Sequence, residues 1–281
     1  MKTCAHILDT AQQNLKTLEI PDGYSYYRWV NTTLESISFD YSDADKALFE
    51  NGQDAHWQHI EEYYVTLRAR CVDELKISES GTHKAWISQR VEMHMVTSIM
   101  RLLYLTESFR DASVKFNATA AAVHIKAMVE VPFHLGYLLW ILCTHKKFEE
   151  MKAELAKVAW GIQDADTGLT GKANITQKDF YTHADEMIEK HFKDEPSTIK
   201  IFKTIYKEAN AFGHHNFEGR NALVGVQKGD TWKPKDRKEW FIFMTSNIFQ
   251  VFLYAGTILS MSSFFVNAID HYLAELPDNF A

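Results

Sequence analysis

The amino-acid sequence predicts an all-α fold, a helical bundle with long antiparallel helices and an N-terminal helical extension. Apolar residues recur three or four positions apart along most of the chain, which is the spacing of one helix face. Only 12 glycines and 5 prolines occur in 281 residues, too few for the many turns of a β-sandwich or barrel. The hydrophobic share of 46% is that of a globular protein and excludes a disordered chain.

The predicted organisation has two parts, an extension over residues 1–84 and a bundle core over residues 85–281. Length gives a prior of about two domains, with one large all-α domain as the alternative. In the extension, Asp54 can cap a helix that runs to about residue 77. In the core, two long apolar helices are predicted over residues 86–109 and 116–145, and three shorter helices over 147–160, 178–192 and 197–212. A small hairpin is predicted within residues 221–232.

Residues 240–269 carry no charge and outnumber the roughly 20 residues that cross a membrane. Their polar side chains nevertheless recur three, four or seven positions apart, which gathers them on one stripe of a single helix. These are Asn247, Gln250, Thr257, Ser260, Ser263 and Asn267. We interpret the segment as one helix of a soluble bundle whose second face is partly covered. This predicts a homodimer and no membrane contact, with a membrane helix as the alternative.

The net charge and the cysteine pattern indicate which partners and which cellular compartment to expect. The chain has 30 Lys and Arg and 37 Asp and Glu, a net charge of -7, so a nucleic-acid site would need a local basic patch. The three cysteines, Cys4, Cys71 and Cys143, are far apart and form no CxxC pair. The N-terminus has no apolar signal-peptide core. A reducing cytoplasm is therefore the expected localisation.

Thirteen histidines raise the question of a metal site. A di-iron bundle needs Glu-x-x-His on two helices, and that spacing does not occur in the sequence. The nearest approach is Glu130 with His134, four positions apart. We expect no metal and no other cofactor, and a metal-dependent oxidoreductase is a distant alternative.

Glu130 is a candidate functional residue. Apart from His134 it is the only Asp, Glu, Lys, Arg or His side chain among residues 127–143, and a carboxylate in such a stripe needs a partner. Lys126, Arg90 or Arg101 could supply one. Glu130 could therefore form a structural ion pair that joins two helices, or it could be a functional carboxylate that serves binding or catalysis.

A second candidate group lies around the end of the 197–212 helix. Tyr206 and Asn210 share one helix face, and His214 follows just beyond the helix. An imidazole at a helix C-terminus meets the negative end of the dipole, which favours its protonated form. It could then act as a general acid or bind phosphate, or it could simply cap the last carbonyls.

The one local basic patch is the segment 228–238, KGDTWKPKDRK, which has an excess of three positive charges. Basic side chains beside an aromatic ring are suited to hold a phosphate backbone and stack on a base. The candidate nucleic-acid-binding residues are Lys228, Trp232, Lys233, Lys235, Arg237 and Lys238. A solvated connecting loop is the alternative interpretation.

Two stretches, RVEMHMVTSIMRLLYLTESF and VHIKAMVEVPFHLGYLLWIL, resemble the paired long helices of an uncharacterised bacterial group of HEPN-like all-α proteins. The resemblance covers about residues 85–275. The Arg-x-x-x-Glu element of that group is matched here by Lys126 and Glu130, and its Tyr…Ser/Asn…His element by Tyr206, Asn210 and His214.

The resemblance implies a role in prokaryotic defence or stress with an RNA or nucleotide ligand, and a site made of His214, Lys207, Tyr206, Asn210 and Glu130. Ribonucleolytic members have an arginine separated from the histidine by four to six residues, and in this chain Lys207 is separated from His214 by six. Lysine keeps the charge but lacks the planar fork that clamps phosphate. The expectation is therefore a degenerate ribonuclease, and the alternative is a non-catalytic dimeric scaffold.

Overall fold

The all-α bundle is confirmed by the computed structural model, which describes residues 54–71, 81–160, 177–191, 201–213, 226–228, 231–233, 236–247 and 250–280. These residues form eight α-helices and one short hairpin. The helices are α1 (Asp54–Ala69), α2 (His83–Val114), α3 (Ala118–Thr144), α4 (Phe148–Trp160), α5 (Gln177–His191), α6 (Ile201–Gly213), α7 (Arg237–Asn247) and α8 (Val251–Glu275). Strands β1 (Val226–Lys228) and β2 (Thr231–Lys233) pair antiparallel, inside the segment predicted to form a hairpin.

Helix α3 is the central element of the bundle. It packs against α2, α4, α5, α6, α7 and α8, and its apolar side chains are buried in several directions around the axis, as with Ile125, Val129 and Leu138. A helix that is apolar on most of its circumference is stable only when other elements cover it. This explains why residues 127–143 carry almost no charge.

A tight reversal at Phe116 makes α2 and α3 antiparallel. Phe116 has φ of 52°, the left-handed conformation that ends α2. The Asn117 side chain then accepts a hydrogen bond from the Ala120 N–H at 3.2 Å and caps α3. The sequence predicted α3 to begin at residue 116, but that residue forms the turn.

Helix α1 belongs to the same core as the rest of the bundle, with Trp57, Ile60 and Tyr64 fully buried in it. Its end at Ala69 corrects the prediction of a helix to about residue 77. The N–H groups of the next two residues, Arg70 and Cys71, bond to carbonyls only three positions back, and such bonds tighten a last helical turn. Residues 72–80 lie outside the described part, as do residues 1–53, and the domain division at 84 stays a prediction.

The prediction of one helix over residues 240–269 is wrong, because the segment forms two helices. In a straight helix Phe241 and Phe252 would lie about 16 Å apart along the axis. Their ring centroids are 6.2 Å apart. The break before Val251, where Gln250 has a non-helical ψ of 65°, brings both rings into one core.

The amphipathic pattern of α8 is only partly as predicted. Thr257 is partly exposed and Asn267 is exposed, but Ser263 is buried. By length and composition both α3 and α8 could cross a membrane, although most of each apolar window is buried inside the bundle, as in core helices of soluble proteins. The absence of membrane contact, the cytoplasmic localisation and the homodimer remain predictions.

Candidate functional site

A line of polar side chains runs along the otherwise apolar α3. Lys126, Glu130, His134 and Tyr137 are spaced four, four and three positions apart, so they share one helix face. We call these four residues the polar row. Lys126 approaches Tyr206 of α6, and Glu130 bonds to Arg101 of α2. His134 packs against the Phe180 ring of α5, and Tyr137 bonds to Glu154 of α4.

Glu130 forms an ion pair with Arg101 of α2. The Arg101 NH2 lies 2.7 Å from Glu130 Oε2, and the two side chains are 48% and 25% exposed. An ion pair between helices was one of the two predicted roles, and Arg101 was one of three predicted partners. The pair is only partly buried, because this face of α3 reaches the bundle surface.

His94 of α2 and His134 of α3 are half-buried side chains that lie close enough for their charges to interact. Burial lowers the pKa of His94 to about 4. Burial, with the nearby charges of Arg101 and His94, lowers the pKa of His134 to about 4 as well. Both imidazoles are therefore neutral at pH 7, and the buried Nε2 of His94 has no hydrogen-bond partner among the described residues.

His94 is a residue that the sequence analysis missed. It lies three positions after Val91 and seven after Ile87, so it occupies the apolar face of α2. A histidine in that register is expected to be buried, and this spacing was the signal that could have identified it.

Tyr137 ends the polar row at α4. Its hydroxyl donates a hydrogen bond to Glu154 at 2.8 Å, and burial together with this bond raises the pKa of Tyr137 above its ordinary range. Burial alone would raise the pKa of Glu154, but hydrogen bonds from Lys157 and Tyr137 bring it below its usual value. This end of the row is a structural hydrogen-bonded cluster.

At the other end, the predicted α6 residues meet the polar row. The Lys126 ammonium lies 5.8 Å from the centroid of the Tyr206 ring, and that ring lies 6.0 Å from Phe133. Asn210 follows one turn later on the same face of α6, and its buried Oδ1 has no hydrogen-bond partner among the described residues. Tyr206 therefore lies beside Lys126, the first of the two positions matched to the Arg-x-x-x-Glu element.

The remaining members of the predicted site are not brought into this contact. Lys207 is exposed and lies about 100° around α6 from Tyr206. His214 follows the last residue of α6 and lies outside the described residues. Its predicted approach to Tyr206 and Glu130 stays a prediction.

The basic segment contacts a different part of the bundle. Arg237 Nε donates to the Phe116 carbonyl at 3.1 Å, and the Lys238 ammonium lies 5.8 Å from the Phe116 ring. Phe116 is ten residues before Lys126, which corresponds to about 15 Å along a helix. Exposed acidic residues, Asp236 and Glu239, flank these cations.

The strands hold three further predicted nucleic-acid-binding residues, Lys228, Trp232 and Lys233, and the register pairs Trp232 with Gln227. Lys235 lies outside the described residues. The basic segment and the α3–α6 contact are thus two separate sets of residues.

No group of three or more His, Cys, Asp or Glu side chains in the described ranges is arranged to hold a metal ion. Fold and site together define an all-α bundle with a mixed-charge polar row on its central helix. Comparison of the chain with family models, with curated proteins and with solved structures finds no match.

Proposed function

We propose that this protein binds RNA or a nucleotide through phosphate at the α3–α6 contact, as a HEPN-like protein of prokaryotic defence or stress with a degenerate ribonuclease site. The observation that carries the proposal is the approach of Lys126 to Tyr206 at 5.8 Å. These residues come from the two elements that the sequence resemblance assigns to one site, and they are 80 positions apart in the chain.

The side chains at this contact have the chemistry of a phosphate site. The Lys126 ammonium supplies positive charge, while the Tyr206 hydroxyl and the Asn210 amide can donate hydrogen bonds to phosphate oxygens. His214, which follows α6 directly in the sequence, is the proposed general acid–base group. The proposal requires no metal or other cofactor.

A second candidate function is a non-catalytic dimeric scaffold. The observation that favours it is the exposed position of Lys207 on a side of α6 away from Tyr206. A ribonuclease would need a cation directed at the same phosphate as the general acid. Under this alternative the polar row has a structural role only.

The test compares binding of a labelled single-stranded RNA by the wild type, Lys126→Ala and Lys152→Ala. Lys152 is an exposed lysine on α4, the helix that meets the opposite end of the polar row, so its removal lowers the net charge equally at a distance from the site. The proposal predicts about tenfold weaker binding for Lys126→Ala, as expected for one charge-assisted contact, and little change for Lys152→Ala.

The same RNA serves to test cleavage. His214→Ala is expected to leave binding largely intact and to remove any cleavage, since general acid–base catalysis contributes about 10²–10⁴ in rate. Equal losses of binding for the two lysine variants would show non-specific charge attraction. Binding by the wild type without cleavage would favour a binding protein over a ribonuclease.

A further inference from the structure

We infer that Arg101 supplies the planar guanidinium that binds phosphate in this protein, and that Glu130 positions it. This inference rests on the proposed function and adds a residue from α2, a helix to which the sequence assigned no ligand contact. It concerns a phosphate diester of RNA or the phosphate of a nucleotide, since both present the same oxygens to a guanidinium.

The guanidinium of Arg101 is only partly occupied by its protein partner. Its one hydrogen bond within the described residues runs from NH2 to Glu130 at 2.7 Å. An arginine has five N–H donors in a fixed fork, so the Nε and NH1 groups remain available. The side chain is 48% exposed, which lets an anion reach it.

Two other arginines of the described bundle, Arg70 and Arg90, are committed elsewhere. Arg70 makes four hydrogen bonds, two to Glu92 and two to Asp270. Arg90 is buried, with its guanidinium 4.0 Å from the centre of the Trp86 ring. These contacts tie helices together and leave those side chains little capacity for a ligand.

The position of Arg101 fits a shared phosphate site. Its partner Glu130 lies one helical turn from Lys126, a spacing at which side chains are neighbours. Arg101 of α2 therefore bonds to a carboxylate that stands one turn along α3 from Lys126. A lysine provides a point charge and an arginine provides a bidentate fork, so the two cations are complementary.

Glu130 has a specific role in this arrangement. An arginine side chain loses substantial rotamer entropy when it is ordered, and the ion pair orders Arg101 before a ligand arrives. Replacement by glutamine keeps an acceptor oxygen for the NH2 donor and removes the charge. Glu130→Gln is therefore expected to weaken binding less than Arg101→Ala does.

The experiment measures affinity for labelled single-stranded RNA and for the mononucleotide of the same base. The wild type is compared with the site variants Arg101→Lys, Arg101→Ala, Glu130→Gln and Lys126→Ala, and with Lys207→Arg and Arg68→Lys. Arg101→Lys keeps the charge and removes the fork, and we expect about tenfold weaker binding. Arg68 lies on α1, so Arg68→Lys is the matched control and should bind as the wild type does. Thermal melts of all variants confirm folding.

The outcomes separate this inference from the proposed function. If Lys126→Ala weakens binding and Arg101→Lys binds like the wild type, the inference is wrong and the proposed function stands. If Lys207→Arg strengthens binding while Arg101→Lys has no effect, the phosphate-binding position is on α6 instead. If the wild type binds neither RNA nor mononucleotide, both fail.

Discussion

The Arg101–Glu130 ion pair sets how much Glu130 contributes to stability. From sequence alone, Glu130 resembles a buried carboxylate, whose loss would destabilise the fold by about 3–5 kcal/mol. The structure shows both side chains in partial contact with solvent, where ion pairs contribute about 0–1 kcal/mol. Glu130→Ala is therefore expected to lower the free energy of unfolding by about 1 kcal/mol in a urea titration. A loss of several kcal/mol would show that water does not reach the pair.

His94 and His134 make stability depend on acid pH, because their surroundings disfavour the charged imidazole. Their pKa is about 4 in the folded protein and about 6.5 in an unfolded chain. Between these values the unfolded state binds more protons, so stability is full above about pH 6.5 and falls as the pH drops toward 4.

We expect the free energy of unfolding to fall by roughly 2–3 kcal/mol per histidine across this window, less where the two sites share one unfavourable charge. His94→Gln should flatten the pH profile of unfolding, whereas His271→Gln, at an exposed site, should not. An unchanged profile in His94→Gln would contradict the burial of this ring.

At the residue scale, the sequence identified candidate residues where a charged side chain occurs within an otherwise apolar helix. Glu130 was identified because a carboxylate in an apolar helix needs a cation. The choice of Arg101 over Arg90 or Lys126 could not be made, because the register between α2 and α3 depends on the turn at Phe116. That turn uses a left-handed non-glycine residue, which no local sequence pattern predicts.

At the scale of elements, Gly136 fixes the approach of α5 to α3. A Cβ at this position would lie 2.6 Å from the Ala184 Cβ and 2.7 Å from its Cα. Because backbone cannot move aside cheaply, Gly136→Ala should destabilise the fold by about 1–3 kcal/mol, despite the higher helix propensity of alanine.

Gly256→Ala is the matched control for this substitution. Its Cβ would lie 2.9 Å from the Cδ2 of His59, an exposed side chain that can rotate away. Chemical denaturation should show a clearly larger loss for Gly136→Ala. Equal effects of the two substitutions would indicate that α5 can shift away from α3.

Helix existence followed from apolar periodicity, but several boundaries did not. The break between α7 and α8 contains no proline or glycine, and in the folded core it brings Phe241 and Phe252 together. Just beyond the early end of α1, Arg70 forms ion pairs with Glu92 of α2 and Asp270 of α8. These are contacts between residues far apart in the chain, which a local pattern does not contain.

At the scale of the whole molecule, the outward face of α8 bears on assembly. Leu253 is 39% exposed there, and the partly exposed Thr257 and Ser260 and the exposed Asn267 add no charge. We expect a homodimer that uses this face, with Leu253→Glu shifting it toward monomer by placing a charge in the apolar contact. Light scattering without detergent measures this, and a wild-type monomer at micromolar concentration would contradict the expectation.

The salt dependence of RNA binding tests the proposed function most directly. The affinity of the wild type for labelled single-stranded RNA should fall with salt, with a log–log slope of about 0.7 per phosphate contact. Lys126→Ala should lower the slope by about 0.7, because one contact is lost. Binding that is absent at micromolar protein, or that does not change with salt, would contradict a phosphate site at the α3–α6 contact.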